Sequence, residues 1–131
     1  MRPGILLVAL MALGCASGLG ETTARPASSP GEVFELMDQS FVSEEAEGIR
    51  ASYQWHLTGP NGGDWFVVVE NGERRIGKGV IGNPDVVFVC TAEDWVALSN
   101  GTLSGTWAYL SGRLQIRGSH ALARKLDAMF P

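Results

Sequence analysis

Ile49-Arg50-Ala51-Ser52-Tyr53-Gln54-Trp55-His56-Leu57 is the stretch that decides the fold. Apolar Ile49, Ala51, Tyr53, Trp55 and Leu57 alternate with polar Arg50, Ser52, Gln54 and His56, the period of a strand with one buried face. Gly59-Pro60-Asn61-Gly62-Gly63 turns the chain. Trp65-Phe66-Val67-Val68-Val69 is β-branched and aromatic, and reads as a second strand. Asn71-Gly72 marks a tight hairpin, because both residues tolerate positive φ. Glu73 to Val80 makes a third, more polar strand. Beyond the Gly82-Asn83-Pro84 turn, Val86 to Cys90 is apolar on both faces, which implies cover on both sides.

Helical periods flank these strands. Ser29 before Pro30 is an N-cap with proline at the first helical position, followed by the stripe Val33, Phe34, Leu36 and Met37. Ser43 with Glu44, Glu45 and Glu47 begins a short helix whose acids complement the positive dipole end. Thr91 caps a helix with Glu93 and Asp94 in its first turn and Trp95, Val96 and Leu98 on its buried side. Ser104 to Leu110 carries Trp107, Tyr109 and Leu110 on a further short helix. Arg113 to Arg117 alternates as a fifth strand, Leu114 and Ile116 inward. Gly118-Ser119 opens a last helix in which Leu122, Leu126, Met129 and Phe130 share a face. This order predicts an α+β domain: a five-stranded, mainly antiparallel sheet covered on one side by about five helices. The strand after the helical pair is the one able to return parallel to a neighbour.

The chain has 131 residues, 45% hydrophobic and 18% charged, enough for one packed domain and unlike a disordered chain. The net charge is -4, with acidic residues spread along the sequence. No basic footprint for nucleic acid is present. An acidic surface does not attract anionic headgroups, so any membrane contact is expected to be hydrophobic or covalent. Two cysteines make no disulfide framework, and Cys90 reads as a small core residue.

Residues 1–20 read as an export leader. Arg2 precedes the apolar run Ile5-Leu6-Leu7-Val8-Ala9-Leu10-Met11-Ala12-Leu13, too short to span a bilayer as a helix. Two processing routes stay open. Ala12-Leu13-Gly14-Cys15 resembles a bacterial lipobox, which makes Cys15 a lipidation candidate, although Ala12 stands where leucine is usual. Ala16-Ser17-Gly18 instead offers small residues for ordinary signal cleavage. Either route gives an exported or membrane-anchored protein. Translation from Met11 would leave a cytoplasmic one. Residues 21–30 are rich in Thr, Ala, Ser and Pro and read as a flexible linker to a domain over 31–131.

From Val33 to Phe130 the sequence resembles the sterol carrier protein type-2 domain family. The resemblance is carried by Tyr53-Gln54-Trp55-His56-Leu57-Thr58-Gly59 with Gly62-Gly63-Asp64-Trp65, and by Asn83-Pro84-Asp85-Val86 with Thr91-Ala92-Glu93-Asp94-Trp95. Its most specific part is Asn100-Gly101-Thr102-Leu103-Ser104-Gly105, Tyr109 to Gly118, and Leu122-Ala123-Arg124-Lys125-Leu126. It implies an apolar tunnel between sheet and helices, and non-catalytic binding or transfer of fatty acids, acyl-CoA esters, sterols or phospholipids. An alternative is an accessory interaction domain with its tunnel filled, whose protein partner the sequence does not name. Burying about 12 methylenes at ~0.8 kcal/mol each gives ~10 kcal/mol gross, against several kcal/mol of association cost.

Phe88, Trp95, Trp107, Tyr109, Leu110, Leu114, Ile116, Met129 and Phe130 are the candidate tunnel residues, with ordinary core the default reading of each taken singly. Met129 and Phe130, at the C-terminus, suit a mobile lid. His56 and His120 stand at no nucleophile or metal spacing and read as surface residues. No cofactor or metal is expected.

Overall fold

The computed structural model describes residues 26–131. The leader, the first half of the linker and Cys15 lie outside the described residues. Helix α1 (Pro30–Ser40) leads through a 3-10 turn (Ser43–Ala46) to β1 (Ala51–Thr58), β2 (Gly63–Glu70), β3 (Glu73–Lys78) and β4 (Val86–Thr91). Then come α2 (Ala92–Asn100), α3 (Gly105–Leu110), β5 (Gln115–Gly118) and α4 (His120–Met129). The segment at Ser43, expected as a short helix, is a single 3-10 turn, so among the described residues four α-helices stand where about five were expected.

All four helices start on a hydroxyl cap. Ser29, Thr91, Ser104 and Ser119 each accept a hydrogen bond from the backbone N–H three residues on, at 3.0–3.3 Å. Asn71 (φ 55°) and Gly72 (φ 74°) are the two residues joining β2 to β3, the positive-φ pair that a tight hairpin needs.

The strand order is β3-β2-β1-β4-β5. Neighbours are antiparallel except β1 and β4, which are parallel with Tyr53 beside Val86 and Trp55 beside Phe88. The sheet is therefore mixed rather than mainly antiparallel. The parallel strand is β4, before the helical pair, and not β5 after it. The cause is the segment between β3 and β4, residues 79–85. Lys78 lies level with Trp65 and Trp55, whereas Val86 lies level with Tyr53. The chain must move about 14 Å across three strand spacings and about 7 Å back along them. A short extended segment covers that distance, so no crossover helix is needed.

This crossing buries a residue that alternation assigns to solvent. Gln54 points away from the helices yet is 1% exposed. Its Oε1 accepts from Ile81 N–H at 2.8 Å, and its Nε2 donates to the carbonyls of Trp65 (2.9 Å) and Gly79 (3.0 Å). The Ile81 N–H can only donate, which fixes the amide orientation. Asp85 holds the other end: its carboxylate accepts from Ser52 N–H at 2.9 Å, and its own N–H donates to Ser52 O at 2.9 Å. Gly118 (φ 95°) lies against Asp85, where a Cβ would come within 2.1 Å of the carbonyl oxygen. Glycine is required there by space as well as by φ.

Candidate functional site

The inner face of the sheet presents Tyr53 and Trp55 from β1, Val67 and Val69 from β2, and Val86 and Phe88 from β4, all buried. Val33, Phe34 and Met37 of α1, Trp95 of α2 and Leu126 and Met129 of α4 pack over them. Rings dominate the contact. Phe34 stacks on Trp65 at 4.6 Å and meets Trp55 edge-on at 5.1 Å. Trp55 stacks on Phe88 at 4.9 Å and lies 5.3 Å from Trp95.

Among the described residues three buried side-chain polar atoms have no hydrogen-bond partner: Trp55 Nε1, Trp95 Nε1 and Ser99 Oγ. Trp95 and Ser99 are one helical turn apart and share a face of α2. Buried donors are nearly always paired, so this cluster is unusual. Tyr53, by contrast, donates its hydroxyl to the Leu122 carbonyl at 2.8 Å. Burial, reinforced by the Asp85 charge, pushes that hydroxyl up to about 12. Burial, with a further contribution from Asp94, pushes the Cys90 thiol up to about 12, which suits a core residue and not a nucleophile.

An open groove of about 540 Å³ runs between α1 and the β2–β3 edge, lined by Ser29, Gly31, Glu32, Phe34, Glu35, Asp38, Trp65 and Ile76. Its apolar floor is the outer side of the Phe34–Trp65 stack, and its rim is acidic.

The sequence-derived candidates divide into two groups. Phe88, Leu114, Met129 and Phe130 are buried, and Trp95 and Ile116 half-buried, against one core. Leu114 precedes β5 rather than lying within it, and Arg113, also outside the strand, holds Asp94 at 2.7 Å. The C-terminus is tied down: Val42 N–H donates to Met129 O at 2.8 Å, and Phe130 meets Phe41 at 5.2 Å. Trp107, Tyr109 and Leu110, expected on a tunnel wall, are 58%, 44% and 73% exposed. On a helix, four consecutive residues spread over most of its circumference. Ala108 alone takes the inward side of α3.

Sequence reasoning left Phe34, Tyr53, Trp55 and Trp65 out of the site. Their signal was present in the α1 stripe and in the alternation along β1, but both read as core. Among the described residues no group of three His, Cys, Asp or Glu is placed to hold a metal. His56 pairs with Asp64 at 2.7 Å on the outer face, and His120 meets the edge of Tyr109 at 5.8 Å.

Residues 33–131 match the SCP-2 sterol transfer family. The hydroxysteroid dehydrogenase-like protein 2 of Rattus norvegicus is 35% identical over 99 residues, 75% of this chain and 19% of its own length. The chain thus spans about a fifth of that curated relative. Among solved structures, palmitated SCP2L2 from Aedes aegypti superposes with TM-score 0.62 and 22% identity over 79% of this chain and 96% of its own. The sec-alkylsulfatase Pisa1 from Pseudomonas sp. has TM-score 0.69 and 17% identity over 79% of this chain and 16% of its own. The fold therefore occurs both alone and as a small part of larger proteins. On the match across 33–131, the chain belongs to the SCP-2 sterol transfer family.

Proposed function

We propose that the domain binds an apolar lipid (a fatty acid, acyl-CoA ester, sterol or phospholipid) between the inner face of the sheet and the helices, and releases it unchanged. The observation that carries this reading is the pair of unpartnered indole N–H groups of Trp55 and Trp95 within an aromatic wall. Rings accept an acyl chain or a sterol body by area alone. An oxygen at the ligand's polar end would satisfy donors that otherwise cost about 1–3 kcal/mol each. Family membership and the palmitate named for the Aedes aegypti protein point the same way.

The test is titration of the full chain with palmitate, cholesterol and palmitoyl-CoA, followed by tryptophan emission and native mass spectrometry. One lipid per chain, with a Kd near micromolar and altered indole emission, is the expected result. No bound lipid from any class, either added or co-purified from cells, overturns it.

A second reading is favoured by the packing itself. Trp55 is wholly buried between Phe88 and Trp95, as in a domain that has filled its interior and serves as an accessory module for a protein partner. Failure of every lipid, with the domain stably folded, would select this reading. We further propose that the chain is exported or anchored through its N-terminus, with Cys15 the acylation candidate. The mass of the mature N-terminus decides this, and an intact Met1 in protein from native cells overturns it.

A further inference from the structure

We propose that the exposed face of α3, continued by His120 and Arg124 on α4, is a docking surface for an anionic lipid bilayer. Among the described residues the exposed large hydrophobics are Val80, Trp107, Tyr109 and Leu110, and three of these four fall in the six residues of α3. Single exposed apolar side chains are ordinary, whereas a cluster marks an interaction surface. The residue types are those that gather where a bilayer meets water. Leucine enters the acyl boundary, and the indole and phenol place their polar edges among headgroups.

Charge points to the same surface. Residues 95–126 contain no aspartate or glutamate and carry Arg113, Arg117, Arg124 and Lys125, in a chain whose net charge is -4, with Asp94 and the exposed Asp127 flanking the stretch. The acids are thus not spread evenly along the chain. Arg113 and Lys125 are in ion pairs with Asp94 and Glu45. The His120 ring meets Tyr109, and Arg124 lies one turn further along that face of α4, exposed. Arg124 is thus the exposed cation on the side of α4 that His120 turns toward α3, with Asp127 three residues beyond it.

The patch is too small for a stable dimer. Three partly exposed side chains supply a few hundred Å² at most, against about 800 Å² per partner in a standard interface. A bilayer has no such threshold. The surface stands independently of what fills the interior.

The experiment uses the full chain with vesicles of phosphatidylcholine, with and without phosphatidylserine, some carrying brominated acyl chains. Wild-type protein is expected to co-sediment more strongly with the phosphatidylserine vesicles. Trp107→Ser/Leu110→Ser should lower that partitioning roughly tenfold or more, given the apolar area removed. Brominated chains should quench a fraction of tryptophan emission that Trp107→Phe abolishes. Arg124→Gln should weaken only the phosphatidylserine component, and Val80→Ser, away from α3, should change nothing. Quenching identical in wild type and Trp107→Phe overturns the proposal, even if binding through residues 1–25 persists. So does a concentration-dependent dimer that Trp107→Ser/Leu110→Ser dissociates, because that result gives the surface to a second copy. The quenching comparison decides the matter if the double variant folds poorly.

Discussion

Trp55 and Trp107 are the same residue type, 52 positions apart, with opposite surroundings. Trp55 sits on a strand whose neighbours on both sides bring rings to the same face, and α1 and α2 close over it. Trp107 sits on a six-residue helix that turns only Ala108 inward. The difference shows that burial is decided by the element that presents a side chain and by what covers that element. An aromatic-rich sequence segment does not by itself identify a wall or a core.

The sharpest way to break the comparison is to truncate both indoles. Trp55→Ala should cost about 3–5 kcal/mol in urea denaturation, as for a large ring removed from a packed interior. A loss below about 1 kcal/mol would mean that the rings line open space. The next effect belongs to the other face of the sheet. Gln54→Leu leaves the Ile81 N–H and the Gly79 and Trp65 carbonyls without their partner. It should cost about 2–3 kcal/mol, with hydrogen exchange rising first at Ile81. An unchanged exchange rate at Ile81 would show that Gln54 is not what holds the crossing.

Tyr53 and Cys90 make the interior sensitive to alkali. Each holds its proton more tightly when folded, with pKa raised to about 12 from ordinary values of 10.0 and 9.0. Their contribution is therefore fully present below those ordinary values. It is lost as pH rises through 9–12. For Tyr53 the loss is about 2–3 kcal/mol once both states are ionised. Tyr53→Phe should be less stable at pH 7 by about 1 kcal/mol, for want of the bond to Leu122, and should show a flatter decline above pH 10. Parallel declines in wild type and variant would remove Tyr53 from the account.

Most of this fold was legible because its signals are local. Hydroxyl caps, the Asn71-Gly72 turn and the alternation along β1 depend on near neighbours only, and each forms as expected. The crossing from β3 to β4 does not. Nothing around Gln54 reveals that residues 79–81 will lie over it, since the alternating pattern has the same appearance whether the outer face is wet or covered. The site was less legible for a related reason. Tyr53, Trp55 and Phe34 carry the patterns of ordinary core, and the orphaned indole donors exist only once the rings are packed. On α3 the inward side belongs to Ala108, and nothing local in a six-residue helix tells which of its sides will pack.

The smallest expected effect on stability follows from that geometry. Trp107→Ser should leave the unfolding free energy within about 0.5 kcal/mol of wild type, the range for surface substitutions. More than half of the side chain is already in water. The backbone N–H of residue 107 would still reach Ser104 Oγ, because that bond does not use the indole. Leu110→Ser, at 73% exposure, should behave the same way. A measured loss near 2 kcal/mol or more would mean that α3 folds down in solution and that its rings join those of β1. The two tryptophans would then belong to one region, and the α3 surface would not be free to meet a membrane. Equal stability, together with weakened vesicle binding, would keep the regions apart: one set of rings holding the domain together, the other facing outward for contact.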